Sequence, residues 1–123
     1  YLAYVDDTPA AWVQVGPRDR LEKLARQLSL EPAPLTWAVS CFFVAPAFRG
    51  RGLAGWTLTA ILADLRARGV RRVEAYPRRA GAGEVLDAGD VWTGPEALLR
   101  AAGFADVAGA GGDAKRGPLA LAL

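Results

Sequence analysis

Arginine and glycine alternate at Arg49-Gly50-Arg51-Gly52, inside the stretch Val44-Ala45-Pro46-Ala47-Phe48-Arg49-Gly50-Arg51-Gly52-Leu53-Ala54-Gly55. That pattern suits the holding of an anion, most naturally a phosphate. Glycine has no Cβ, so ligand oxygens can reach the backbone, and arginine adds charge-assisted hydrogen bonds. An apolar run, Trp37 to Val44, enters the stretch and a helical pattern leaves it. Unpaired N–H groups and the positive end of a helix dipole would converge there. Acid–base chemistry has fewer candidates. Glu74 and Tyr76 lie two apart in Val70 to Tyr76, so on a strand they share a face with Arg72. Partial burial would raise the Glu74 pKa towards that of a general base, and Tyr76 could serve as acid. The competing reading of Glu74 is an ion pair with Arg71 or Arg72. Asp87 and Asp90 are weaker candidates. Cys41 is the one cysteine and there is no histidine. A thiol nucleophile and a transition-metal site are therefore not expected.

The elements that must position these residues can be read in order. Tyr1 to Val5 and Ala11 to Val15 pattern as two strands around the turn cluster Asp6-Asp7-Thr8-Pro9, a β-hairpin. Asp19 stands three before Glu22 at a capping-box spacing, and Leu21, Leu24, Ala25 and Leu28 form one helical face. Glu31-Pro32-Ala33-Pro34 ends that helix. Trp37 to Val44 is apolar enough for a strand buried on both faces. Leu58, Ile61, Leu62 and Leu65 repeat at helical spacing up to Gly69. Strand, helix and strand make a βαβ unit with a parallel pair. Pro77 to Asp90 is a long loop without periodicity, and such loops are often functional. Thr93-Gly94-Pro95-Glu96 predicts a helix with Thr93 as N-cap, closed by Gly103. Ala105 to Ala108 and Pro118 to Leu123 pattern as closing strands joined by Gly109 to Gly117. The fold class is thus α/β with a mixed sheet, in a single domain, residues 1–123.

Two phosphate cradles fit the glycine pattern. Gly50-Arg51-Gly52-Leu53-Ala54-Gly55 satisfies the dinucleotide fingerprint, with Glu74 at about the expected distance downstream. Against it, Ala45 to Arg49 separates the strand from the first glycine, and too little chain follows Tyr76 for further βα units. No Gly-Lys-Ser/Thr follows, which excludes a Walker loop. Arg49-Gly50-Arg51-Gly52-Leu53-Ala54, after Val44-x-Pro46-x-Phe48, instead resembles the acetyl-CoA signature of the GNAT N-acetyltransferases. The resemblance runs from Trp37 to Leu98-Leu99-Arg100-Ala101-Ala102-Gly103-Phe104, roughly the C-terminal two-thirds of the chain. It implies that acetyl-CoA is the cosubstrate. Its pantetheine would lie between Trp37–Val44 and Val70–Tyr76, on the backbone of Phe43 and Val44. Arg49, Gly50, Arg51, Gly52, Leu53, Ala54 and Gly55 would hold the pyrophosphate. The acceptor would be a small-molecule or peptide amine. A tyrosine many members carry before the final Gly-Phe is replaced here by Leu99, which leaves a non-catalytic CoA-binding module as the rival. A homodimer is compatible with the pattern. The family's opening strand and two helices are not seen before Tyr1, so the sequence reads as an N-terminally incomplete domain.

The net charge is +2 and the pI near 9.0. That mild excess suits an anionic cosubstrate without requiring nucleic acid, and no RNA-binding motif accompanies the arginines. No apolar segment is long enough for a membrane span. A single cysteine fits a reducing cytoplasm, and the Ala, Gly and Arg bias suggests a GC-rich bacterial source.

Overall fold

The computed structural model describes residues 1–108 and 116–123. Strands β1 (Leu2–Val5) and β2 (Thr8–Pro17) form an antiparallel hairpin. Its turn is only Asp6-Asp7, with φ of 47° and 61°. Two left-handed residues give the tight turn whose twist matches the flanking strands, and aspartate tolerates that conformation better than most residues. Thr8 and Pro9 therefore belong to β2 rather than to the turn. A short 3₁₀ turn, Arg18–Arg20, leads into helix α1 (Glu22–Leu28). The expected capping box does not form. The Asp19 carboxylate instead accepts the Ala33 N–H at 2.9 and 3.2 Å, closing the proline segment onto the turn.

Strand β3 (Thr36–Val44) pairs antiparallel with β2 and parallel with β4 (Arg72–Ala75). Helix α2 (Leu53–Ala67) connects them, and Gly69 at φ 78° ends the connection, a conformation that L side chains resist. Helix α3 (Glu96–Ala101) is one short segment stopped by Gly103 at φ 96°. Pro95, not Thr93, is its N-cap, and the buried Thr93 hydroxyl has no hydrogen-bond partner among the described residues. Strands β5 (Ala105–Asp106) and β6 (Leu119–Ala122) close a six-stranded sheet of order β1-β2-β3-β4-β6-β5. The expected mixed sheet, hairpin then βαβ then helix and closing strands, is the observed one. Most of the expected Gly109 to Gly117 link lies outside the described residues.

Strand alternation sends Val39, Val73 and Ala75 to one face of the sheet and Ala38 and Tyr76 to the other. On the first face α2 lays Leu58, Ile61, Leu62 and Leu65 over Val13, Val39, Phe42 and Val73. On the second, Leu24 of α1 packs with Ala38 and Tyr76 in a smaller cluster. The α2 face is thus the main core. Leu58 is fully buried there, and Leu58→Ala should cost about 2–5 kcal/mol through lost transfer energy and the residual cavity. Urea unfolding measures it; a loss below about 1 kcal/mol would mean that α2 does not pack as described.

Candidate functional site

The parallel pairing of β3 and β4 covers only Thr36↔Arg72 to Val39↔Ala75. β3 runs on to Val44 while β4 stops, so from Ser40 onward this edge of β3 has no strand partner. A bulge marks the divergence. Cys41 lies opposite Gln14 and Val39 opposite Val15, leaving Ser40 as the extra residue that bends the strand. The Phe42 N–H points across the open edge and donates to the Trp92 carbonyl at 2.6 Å. Backbone groups alternate along a strand, so Val44 faces the same edge while Phe43 faces β2. The backbone groups at the open edge are therefore those of Phe42 and Val44, not the expected pair Phe43 and Val44. Phe43 offers its half-exposed ring instead, 5.8 Å from the Arg49 guanidinium.

Val44 leads through a 3₁₀ turn, Pro46–Phe48, into the glycine loop. Gly50 and Gly52 hold φ of 71° and 75°, and a Cβ on either would meet no heavy atom within 4 Å. The glycines are required here by conformation, and the space above them is open. Gly52 is the N-cap of α2 and supplies no side-chain cap, so the N–H groups of Leu53, Ala54 and Gly55 have no partner within the helix. A cavity of about 260 Å³ lies over this junction, walled by Phe42, Val44, Arg49, Gly50, Gly52, Leu53 and Ala54 with Ala88, Val91 and Pro95 from the segment between β4 and α3. The Arg49 Nε donates to the Val44 carbonyl at 2.8 Å. Arg51 lies in a neighbouring hollow with Phe48 and Trp56. Gly55 is one turn into α2, where an added Cβ would come within 3.8 Å of Leu98. The loop residues thus converge, with Arg51 and Gly55 at the margin.

Glu74 and Tyr76 do share a face, and they touch: the phenol donates to Glu74 Oε2 at 2.5 Å. Glu74 is 5% exposed. Its Oε2 also accepts Arg18 Nη1 at 2.9 Å, and Oε1 accepts Arg72 Nε and Nη2 at 3.0 and 2.9 Å. Burial alone would raise the Glu74 pKa, but hydrogen bonds from Tyr76, Arg18 and Arg72 outweigh it and hold the carboxyl below its ordinary value. Burial first, and then the bond to Glu74, push the Tyr76 phenol well above its own. Both shifts oppose the expected chemistry, since the carboxylate becomes a weaker base and the phenol a weaker acid. The ion-pair reading of Glu74 is the observed one, with Arg72 and, unforeseen, Arg18. Arg18 also donates to the Glu31 carbonyl. No local pattern marked Arg18, because its partner is 56 residues away.

The weaker candidates are also engaged. Asp87 accepts the N–H groups of Gly89 and Asp90 at 2.7 and 3.0 Å, and Asp90 pairs with Arg78 at 3.3 Å. Burial raises the Cys41 thiol pKa, which suppresses thiolate chemistry. Leu99, fully buried, packs in the main core. A second cavity, about 330 Å³, opens beside the bulge, walled by Gln14, Ser40, Trp92 and residues 20–24 and 27 of the turn and α1. Among the described residues no helix is long and apolar enough to cross a membrane, and no group of three or more Cys, Asp or Glu could hold a metal ion.

Residues 1–83 match the family model described as acetyltransferase (GNAT) family. The match is to the N-terminal part of the chain, not to the C-terminal two-thirds that the motifs suggested. No curated protein matches the sequence. Among solved structures, an acetyltransferase from Thermus thermophilus aligns with a TM-score of 0.64 at 19% identity, over 99% of this chain and 62% of its own. The GNAT domain of S. lividans PAT aligns at 0.66 and 22%, over 99% and 58%. A GNAT family acetyltransferase from Elizabethkingia anophelis with acetyl-CoA bound aligns at 0.65 and 13%, over 99% and 74%. The chain thus spans less than two-thirds of the length of the first two, and at these identities the likeness is one of fold.

Removing the Glu74 charge should be felt as stability. Glu74→Gln removes the nearer counter-charge of the buried Arg18, leaving only Asp19 at 3.9 Å among the described residues, and should cost about 3 kcal/mol at neutral pH. The folded-state pKa is depressed, so the contribution is present above the ordinary carboxylate range and lost as the pH falls through the folded value. The gap in melting temperature between parent and variant should therefore narrow on acidification below about pH 4. Equal melting temperatures at neutral pH would contradict the network.

Proposed function

Because the chain belongs to the acetyltransferase (GNAT) family, we propose that it transfers an acetyl group from acetyl-CoA to an amine by direct attack. The observation that carries this reading is the open edge of β3, which leads through one 3₁₀ turn into the glycine loop and the start of α2. An extended chain with amides can hydrogen-bond to Phe42 and Val44 much as an added strand would. The pyrophosphate at its end would meet the glycine loop, Arg49 and the free N–H groups of the first turn. Arg51 and Gly55 support that loop from its margin. The residues present therefore fit the cosubstrate.

Catalysis in this reading is mostly positioning and electrostatics. A backbone N–H of the open edge, with Phe42 the leading candidate, stabilises the charge that develops on the thioester oxygen as the amine attacks. The Trp92 carbonyl now held by that N–H must give way first. Glu74 and Tyr76 fix the sheet to α1 rather than moving the proton. The amine loses its proton to solvent, and the thiolate of CoA departs without a phenol at the Leu99 position. The kcat/KM should then rise with pH along the acceptor amine's own ionisation, with the same profile in Glu74→Gln. A CoA-binding module without turnover is the rival, supported by the two engaged acid–base candidates.

Acetyl-CoA should raise the melting temperature, NAD should not, and acceptor amines should increase the release of free thiol. Binding without amine-dependent release would favour the rival, and a response to NAD alone would refute the assignment. Gly52→Val forces a β-branched residue to a positive φ beneath the phosphate site. It should cost about 1–2 kcal/mol of stability and abolish the acetyl-CoA shift in a protein that still folds.

A further inference from the structure

We propose that the acceptor is a small amine that also carries an anionic group, a carboxylate or phosphonate, recognised by Arg20 and Lys23. The inference rests on the acetyltransferase reading and specifies its second substrate. The second cavity touches the open edge from the side away from α2. Ser40, the bulged residue, is in its wall, and so is the side chain of Trp92, whose backbone lies across the Phe42 N–H. Among the described residues none lines both cavities, but Ser40 and Trp92 of the second stand within two residues of Phe42 and Val91 of the first, where β3 leaves β4 and where amine and thioester would have to come together.

The charges on the wall define what fits. Arg20 and Lys23 are cationic and Glu22 is the single carboxylate. Among the described residues none of the three has an ion-pair partner or a side-chain hydrogen bond, unlike Arg18, Arg72, Arg78, Arg79 and Arg100. Gln14 and Gln27 add amides, and Leu21, Leu24 and the Trp92 ring add apolar surface. An acceptor with an amine alone would approach a wall of net positive charge. An acceptor that adds an anion offsets that charge, and leaves Glu22 to attract the ammonium before it loses its proton. A volume of about 330 Å³ is at the small end of the range for small-molecule sites. The first residue of a peptide has no free α-carboxylate, so an amidated peptide without acidic side chains satisfies neither cation.

The test measures CoA thiol release with matched acceptors: free amino acids, their carboxamides, their decarboxylated amines, aminoalkylphosphonates and a short amidated peptide with a free N-terminus and no acidic side chains. Acids or phosphonates should be turned over, with kcat/KM at least about tenfold above their matched neutral compounds, the scale of one charge-assisted contact. Arg20→Gln and Lys23→Gln should each raise the KM for the anionic acceptor by about tenfold and narrow the preference over the amide. Acetyl-CoA should stabilise both variants as it does the parent. Equal or better use of an amide, an amine or the peptide overturns the proposal and leaves the acetyltransferase reading standing. Failure of every anionic acceptor while a neutral one is turned over does the same, and failure of every acceptor while acetyl-CoA binds overturns the proposal and favours the CoA-binding module. A protein that does not bind acetyl-CoA would overturn both.

Discussion

The site depends on where one set of backbone hydrogen bonds stops. β3 and β4 pair through Val39↔Ala75 and no further, yet β3 continues to Val44. Donors and acceptors left unpaired inside a protein cost about 1–3 kcal/mol each. An edge of this kind persists only where water, a loop or a ligand can satisfy it. Here the Trp92 carbonyl takes one N–H and a cavity lies over the continuation. The bulge at Ser40 turns the strand aside, and Gly50 and Gly52 carry the chain round into α2 without side chains in the way. Opening of the edge and approach to the backbone are thus two consequences of one divergence.

The closed end of the same strands is held by charge. Glu74 takes hydrogen bonds from Arg18, Arg72 and Tyr76, and Arg18 reaches on to the Glu31 carbonyl. A buried ion pair is weak evidence of net stability, since desolvation offsets much of the attraction. Its effect is on position: it ties β4 to the turn before α1, and α1 walls the second cavity. In the long loop Arg78 pairs internally with Glu84 and Asp90, and Arg79 reaches out to Glu96 of α3 and Asp106 of β5. The segment between β4 and α3, which supplies Ala88, Val91, Trp92 and Pro95 to the two cavities, is thereby fastened through Arg79 to α3 and β5.

Local signals made much of this legible. The Asp-Asp turn, the apolar run into the glycine loop, the periodic face of α2 and the stops at Gly69 and Gly103 each depend on residues close in sequence. The misreadings come from burial and from partners that spacing alone does not reveal. Asp19 looked like a cap because Glu22 is three residues on, but it bonds Ala33. Thr93 looked like a cap because Glu96 follows, but its hydroxyl is buried. Glu74 looked like a base because a strand glutamate beside a cleft gains basicity on burial. Donors from Arg72 and Tyr76, each two residues away, and from Arg18, 56 residues away, reverse that shift. Alternation alone could not say whether Phe42 or Phe43 faces the gap, because that depends on which edge β2 occupies.

The most direct test follows the backbone amides themselves. In a ¹H–¹⁵N correlation spectrum titrated with acetyl-CoA, the amides of Phe42, Val44 and residues 50–55 should move together and saturate with one dissociation constant. The Trp92 region should follow as its carbonyl is displaced. Residues of the β1–β2 turn should stay in place. Saturable binding that shifts other amides and leaves Phe42 and Val44 unmoved would contradict the claim that the open edge of β3 receives the cosubstrate.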